Sequence, residues 1–137
     1  MVEFIADLFP DAGILPADPV QRAQARLFID AVVTHFDKPW VPYLLRGKAG
    51  TTFVEGAVVL ESRLAGKFAL GPKFTAADAA IAPFLLCGEV WSELKNGSDE
   101  LYREIQERAP RFWQYYQELK VHPSVASTYG RVSCVRS

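Results

Sequence analysis

The strongest constraint on the fold comes from residues 74–86, where a helix-start signal precedes an apolar run. Thr75 stands three residues before Asp78, the spacing at which each side chain caps the backbone N–H of the other residue. Phe74 precedes the cap and is placed to pin the entry of the chain by apolar contact. Residues 79–86 are almost entirely apolar, and a helix that is apolar all round belongs in the centre of a bundle. The pattern predicts a buried central helix, with Thr75 and Asp78 as structural capping residues.

Cap residues and apolar periodicity predict further helices on both sides of this segment. Asp18 is placed as the N-cap of a long helix with Pro19 in its first position, and this helix should bend at Pro39 and Pro42, which each remove a backbone hydrogen bond. Later helices are predicted to start at Thr52, at Ser98 and at Pro110, with a last short helix over residues 124–129. No segment alternates as a strand does beside hairpin turn residues. The sequence predicts an all-α bundle of five or six helices, in which residues 1–17 form a short helix and linker and residues 18–137 the helical domain.

Composition limits the partners of the chain. Half of the 137 residues are hydrophobic, so a domain of this size can bury a core without staples. Fifteen basic residues stand against sixteen acidic ones, which argues against nucleic acid and anionic membranes as partners. The longest apolar stretch, Ala76 to Cys87, is too short to span a bilayer. The N-terminus lacks the pattern of a secretory signal, and a cytoplasmic protein is expected.

The cysteines and histidines do not predict a metal centre. Only two residues of each type occur, with no Cys-x-x-Cys spacing, which is too few for a zinc site. Cys87 lies in an apolar helical run and is expected to be a core thiol.

A resemblance to a known family rests on the run around the predicted central helix. Residues 68–85 read Phe-x-Leu-Gly-x-x-Phe-Thr-x-Ala-Asp-x-x-x-x-Pro-Phe-Leu, which resembles the capping box and hydrophobic staple of the glutathione transferase C-terminal domain. Residues 9–19 are similar to the linker between the two halves of that family, Ala23 to Asp30 to its fourth helix, and His122 to Val125 to its ending. The resemblance is closest to fungal, omega-like members.

The resemblance implies both a fold and a missing partner half. Family members bind glutathione on a thioredoxin-like N-terminal half, which the chain is expected to lack. Glutathione is therefore expected as a cofactor only where that half is supplied. The family also pairs through its helical half, and an uncovered apolar surface favours self-association, so a homodimer is expected. The resemblance further implies a pocket for an apolar co-substrate, lined by the long helix and the end of the chain.

Candidate site residues lie mainly on the long helix. His35 has a reference pKa near 6.5, which suits a general acid or base, although a solvated or core-edge histidine is the simpler interpretation. Arg26 is placed to hold a carboxylate, although a solvated face explains it as well. Most of the aromatic residues are expected in the core, and some are expected to reach a ligand. The catalytic candidates are His35, Asp30 and Tyr43, and the substrate-binding candidates are Arg26, Phe28, Phe36, Trp40 and Tyr129.

Three hypotheses for the function follow. The first is a glutathione transferase-like protein that binds a small hydrophobic molecule, or transforms it by isomerisation, cyclisation or elimination. The second is a non-catalytic module for protein–protein interaction and dimerisation. The third is a truncated form of an ordinary glutathione transferase.

Overall fold

Helices joined by loops make up the parts of the chain that its structure, a computed structural model, describes. The model describes residues 2–46, 50–94 and 100–134, with side chains described for residues 3–42, 52–90 and 102–128. No β-strand occurs in these ranges, and an isolated bridge joins Phe68 to Gly71. The helices are α1 (Val2–Leu8), α2 (Pro19–Val32), α3 (Lys38–Arg46), α4 (Gly50–Arg63), α5 (Ala76–Leu94), α6 (Glu100–Arg108), α7 (Pro110–Val121) and α8 (Pro123–Cys134). The all-α prediction is confirmed.

Helix α5 lies at the centre of the bundle and contacts α1, α2, α7 and α8. Ile81 is fully buried on α5, and Leu119 on α7 and Phe28 on α2 are buried to within 1 % of complete. Each such side chain contributes about 1.5–3 kcal/mol through its removal from water. The central helix is thus held from several sides, as its apolar sequence predicts.

Helices α2 and α3 form one rod that changes its winding in the middle. A π-helical turn joins them at Val33–Asp37, and the backbone N–H of Lys38 donates to the carbonyl of Val33, five residues earlier. This turn comes just before Pro39, which has no N–H to offer to the His35 carbonyl. Counted as one rod, α2 and α3 join α4–α8 to give six helices among the described residues after residue 18, within the predicted five or six.

The helix starts agree with the predicted caps in some places and differ in others. Asp18 caps α2, because its carboxylate accepts from the backbone N–H of Gln21 at 3.0 Å. Helix α4 begins at Gly50, so the prediction that Thr52 starts this helix is wrong by two residues. The predicted cap Ser98 lies outside the described residues. Helix α7 starts at Pro110 as predicted, but a distant side chain caps it: the Glu61 carboxylate accepts from the N–H groups of Arg111 and Phe112, at 2.9 and 3.1 Å.

The surface differs from the prediction at one cysteine. Cys87 is exposed on α5, so the expectation of a core thiol is wrong, because this position falls on the uncovered side of the helix. None of the described helices is both long and apolar enough to cross a membrane.

Candidate functional site

The buried carboxylate of Asp78 ties three parts of the fold together. Its Oδ2 accepts from the backbone N–H of Thr75 at 2.9 Å and from the Thr75 hydroxyl at 3.2 Å. Its Oδ1 accepts from the N–H of Ala69 at 2.9 Å and from the hydroxyl of Tyr115 at 2.7 Å. The predicted return bond to Thr75 is present, whereas the Thr75 hydroxyl donates to the carboxylate instead of accepting from the Asp78 N–H. We call these four bonds the Asp78 network.

Tyr115 closes this network from α7. Burial raises the pKa of its hydroxyl well above the ordinary value, and the charge of Asp78 adds to that rise. The phenol therefore stays protonated and continues to donate to Asp78. Since every donor around this carboxylate is internal, the arrangement serves the fold and leaves no position for a reacting group.

A group of aromatic side chains lies where α3, α4, α5 and α6 meet. We call it the aromatic wall, and its members are Phe36, Trp40, Phe53, Phe84 and Tyr102. The ring of Trp40 lies edge-on to those of Phe53 and Phe84, with centroids 6.0 and 6.1 Å apart. Trp40 is only partly buried. The cavity among these rings measures about 10 Å³, which is room for about one water. The cavity is therefore too small to enclose an organic molecule.

Tyr102 is fixed in this wall by close contact with α5. Its hydroxyl donates to the Leu85 carbonyl at 2.8 Å. An added Cβ at Gly88 would lie 2.6 Å from that hydroxyl. Any side chain at position 88 would therefore have to displace the Tyr102 hydroxyl.

The π-helical turn places His35 at the junction of the rod with α4. An added Cβ at Gly56 would lie 2.5 Å from the His35 Cβ and 3.0 Å from a ring carbon of Phe36. The two helices therefore approach each other at a position where only glycine fits. His35 is partly buried, and π-helical turns occur frequently at functional sites. His35 directly precedes Phe36, the first aromatic residue of the wall, in the chain.

A second polar cluster joins α5 to α7 below the wall. Glu89 accepts from the hydroxyl of Tyr116 and, at 2.8 Å, from the ammonium group of Lys120. Burial is the main cause that raises the pKa of Tyr116, and its bond to Glu89 adds to it. The ring of Tyr116 stacks on that of Tyr102 at an interplanar angle of 28°, with centroids 6.1 Å apart. The cluster supports the wall from behind.

Known proteins with the same helical fold can be found by comparison of sequence and structure. No protein-family model matches the chain. Among solved structures, glutathione transferase Omega 2C from Trametes versicolor is 34 % identical, with a TM-score of 0.81 over 96 % of this chain and 60 % of that one. Omega 1C from the same fungus is 38 % identical, with a TM-score of 0.82 over 92 % of this chain and 56 % of that one.

The chain is also similar to two curated proteins, one from an animal and one from a plant. A probable maleylacetoacetate isomerase of Caenorhabditis elegans is 32 % identical over 62 % of this chain and 46 % of its own length. Glutathione S-transferase U22 of Arabidopsis thaliana is 33 % identical over 73 % of this chain and 49 % of its own length. The chain has a glutathione transferase-type helical domain. It spans about half the length of the curated relatives it matches.

Within this glutathione transferase-type domain, the predicted ligand residues separate into two groups. Phe36 and Trp40 come together in the aromatic wall, with His35 beside them. Phe28 is instead a core residue, exposed to 1 %, whose ring lies edge-on to Tyr115 at 6.4 Å.

The remaining predicted residues lie away from the wall or outside the described side chains. Arg26 points to α1, where its Nε donates to Glu3 at 2.9 Å. Asp30 is exposed on α2. The side chains of Tyr43 and Tyr129 lie outside the described residues. No group of three or more His, Cys, Asp or Glu residues is arranged to hold a metal within the described ranges.

Sequence reasoning missed several residues that shape this region. They are Phe53, Gly56, Phe84, Gly88 and Tyr102. Each belongs to a helix other than the predicted long one, so periodicity within a single helix cannot show that they meet. A signal does exist for the two glycines, since a glycine inside a helix pattern costs about 1 kcal/mol relative to alanine and is usually retained for close packing.

Proposed function

We propose that this glutathione transferase-type domain binds a small hydrophobic molecule on the outer side of the aromatic wall, against Trp40. The observation that carries the proposal is a tryptophan that is anchored by two aromatic rings yet remains partly exposed. A rigid indole that is partly exposed presents apolar surface at little cost in side-chain entropy. One related structure, glutathione transferase Omega 2S from Trametes versicolor, was solved in complex with 2,4-dihydroxybenzophenone, a ligand of this class.

His35 supplies the chemistry in this proposal. His35 directly precedes Phe36 of the wall and is partly buried, and a positioned acid or base contributes about 10²–10⁴-fold to a proton-transfer step. Isomerisation, cyclisation and elimination each need such a step. The relative named as a probable maleylacetoacetate isomerase favours isomerisation among the three. Glutathione enters the proposal only as a co-substrate held by a glutathione-binding half of the kind the family carries.

Calorimetric titration with 2,4-dihydroxybenzophenone tests the binding step. We expect saturable binding that Trp40→Ala weakens roughly tenfold or more, which corresponds to about 1.4 kcal/mol. Trp113→Ala is the matched control, because Trp113 is also partly buried and lies on α7, where its ring contacts Tyr102 but does not line the cavity among the wall residues. Equal affinity in the wild type and in Trp40→Ala would contradict the proposal.

Turnover tests the catalytic step separately. We expect the protein to accelerate the isomerisation of maleylacetoacetate, and His35→Gln to lower kcat about 100-fold with little change in ligand affinity. Asp30→Asn serves as the comparison, since Asp30 lies five residues earlier on the same rod and is exposed. Turnover that is unchanged in His35→Gln would exclude His35 as the catalytic group while leaving the binding site standing.

A second candidate, an interaction module that forms a homodimer, is favoured by a different surface. Helix α1 and the residue after it leave four large apolar side chains in solvent: Phe4 (65 % exposed), Ile5 (46 %), Leu8 (57 %) and Phe9 (62 %). Contiguous apolar surface of this kind marks interaction sites. Analytical ultracentrifugation tests it: we expect a dimer mass that Phe4→Glu with Leu8→Glu converts to a monomer, and a wild-type monomer would contradict the dimer.

A further inference from the structure

A groove on another surface shares no residue with the aromatic wall. It lies between the end of α4 with the loop that follows and one side of α7, and it encloses about 230 Å³. Its lining comes from Leu64 and Lys67 on the first side and from Arg111, Gln114, Tyr115 and Glu118 on the second. The α7 residues recur at three and four positions, so they share one helix face. The volume lies just below the range of about 300–1,000 Å³ for drug-sized ligands and suits a smaller molecule.

Both sides of the groove are held by the same buried carboxylate. On the loop side, the N–H of Ala69 donates to Asp78 Oδ1, and Ala69 in turn accepts from the N–H of Ala65 at 3.1 Å. On the α7 side, the hydroxyl of Tyr115 donates to the same oxygen. The groove is therefore fixed before any ligand arrives, which reduces the ordering cost of binding.

The charge of the polar groups changes along the α7 side of the groove. At one end, Glu118 forms an ion pair with Lys67 at 3.3 Å, so this end is neutral. The Gln114 amide lies between. At the other end stands Arg111, and no carboxylate of the described residues lies within ion-pair distance of its guanidinium.

One acidic group at the Arg111 end, Glu61, is already occupied. Glu61 accepts from the backbone N–H groups of Arg111 and Phe112, so its charge is offset by the positive end of the α7 dipole. The guanidinium of Arg111 thus remains the unmatched charge of the groove. Arginine binds planar carboxylates through two parallel hydrogen bonds.

We propose that this groove binds a small organic monocarboxylate that carries a second, uncharged hydrogen-bonding group. The carboxylate pairs with Arg111, and the uncharged group meets Gln114 and the Lys67–Glu118 pair. A second carboxylate is disfavoured at that end because Glu118 faces it. This site is independent of the proposed hydrophobic site, and either can fail without the other.

Succinamate is the probe that matches this pattern, since it has a carboxylate at one end and an amide at the other. Titration at constant ionic strength, followed by backbone amide NMR, is expected to give saturable shifts at residues 64–67 and 111–118. Succinamide, the neutral analogue, is expected to give none. Inorganic phosphate is expected to bind more weakly than succinamate, and tighter phosphate binding would overturn the carboxylate assignment.

Variants of two arginines complete the test. Arg111→Gln keeps the backbone N–H that Glu61 accepts and removes the charge, so we expect affinity for succinamate to fall roughly tenfold, or about 1.4 kcal/mol. Arg103→Gln is the matched control, because Arg103 is also exposed and lies outside the groove on α6. Dispersed NMR signals show that each variant is folded. No saturable shift in the wild type, equal binding of succinamide, or unchanged affinity in Arg111→Gln would each overturn the proposal.

Discussion

Two carboxylates, Asp78 and Glu3, each hold a helix in place, but in opposite surroundings. Asp78 is fully buried and accepts four hydrogen bonds from the loop, from the start of α5 and from α7. Glu3 holds α1 against Arg26 of α2 through two bonds of 2.9 and 3.3 Å. The side chains of Glu3 and Arg26 are 41 % and 62 % exposed. A buried carboxylate cannot be removed without stranding its donors, whereas an exposed pair exchanges partners with water.

This difference in burial distinguishes α5, which fixes the fold, from α1, which remains available for association. In α1, Ala6 is the buried residue among those described, and a helix of seven residues is marginal without tertiary packing. A second surface pair, between Arg22 and Asp7 at 3.3 Å, adds to the contact. Helix α5 therefore belongs to the permanent core, whereas α1 is held loosely, with its apolar side chains turned outward.

Removal of the buried carboxylate is expected to produce the largest effect. Asp78→Ala leaves the Ala69 N–H, the Thr75 N–H and the Tyr115 hydroxyl buried without acceptors. Each unsatisfied donor costs about 1–3 kcal/mol, so the free energy of unfolding should fall by at least about 3 kcal/mol. Urea denaturation followed by circular dichroism measures it. Asp30→Ala, at an exposed position of α2, should stay within about 0.5 kcal/mol. Similar losses in both variants would show that the buried carboxylate of Asp78 contributes no more to stability than an exposed one.

High pH tests the same network through its phenol. The pKa values of Tyr115 and Tyr116 are both raised in the folded chain, so these residues stay neutral above pH 10.0, the ordinary value, while the unfolded chain loses their protons. Stability is therefore complete below that pH and falls as the pH rises through it, by up to about 2.7 kcal/mol per pH unit for the two groups. Urea midpoints measured at rising pH check this. Tyr115→Phe should fall less steeply, and equal slopes in both proteins would remove Tyr115 from the account.

The sequence predicted the local half of the Asp78 network. A spacing of three between Thr75 and Asp78 predicts a bond within one helical turn, and the bond from the Thr75 N–H is present. The apolar residues after it predicted the central position of α5 for the same reason, since burial follows from the composition of a single helix. Local spacing of this kind is visible without any knowledge of the tertiary fold.

The distant half of the network was not visible in the sequence. Tyr115 reaches Asp78 from 37 positions away, and Glu61 caps α7 from 50 positions away. No periodicity within a helix encodes which of several aromatic or acidic residues will meet a given group. Such contacts depend on the packing angles of whole helices.

The candidate site shows the same division. Phe36 and Trp40, four residues apart on one rod, were predicted together and lie together in the aromatic wall. Phe28 was assigned to the same ligand surface, yet it lies in the core against Tyr115. Arg26 was assigned to a substrate carboxylate and instead pairs with Glu3, because the sequence did not show where α1 packs. Helical spacing gives the face of a residue, but the neighbouring helix decides what that face meets.

A substitution at Gly56 is expected to cost less stability than the loss of Asp78 and more than the loss of the Glu3 ion pair. In Gly56→Ala the new methyl group would meet the His35 Cβ at 2.5 Å, and a Cβ cannot rotate away. Overpacking costs about 1–3 kcal/mol, and the higher helix propensity of alanine offsets about 1 kcal/mol of it. We expect a net loss of up to about 2 kcal/mol in thermal or urea denaturation. Ser62→Ala, at an exposed position of the same helix, should not destabilise the protein. A stabilised Gly56→Ala variant would show that the rod and α4 can separate without cost.

Loss of the ion pairs that hold α1 is expected to change the stability of the whole protein least. Its effect should be confined to α1. Arg26 lowers the pKa of Glu3 from 4.5, chiefly by hydrogen bonding to it, so the pairing stabilises the docked helix above that pH and is lost as the pH falls below it. Sodium chloride at about 1 M shortens the screening length to about 3 Å and should weaken both surface pairs.

Hydrogen exchange of individual amides separates these effects from global unfolding. In high salt, or in Arg22→Gln with Arg26→Gln, we expect faster exchange in α1 and in the Phe9 N–H, which donates to the Ile5 carbonyl. Amides of α5 should keep their protection, because the Asp78 network does not depend on exposed charge. Loss of protection in α5 together with α1 would show that the two helices unfold as one unit, and the distinction between a fixed core and a loosely held helix would then fail.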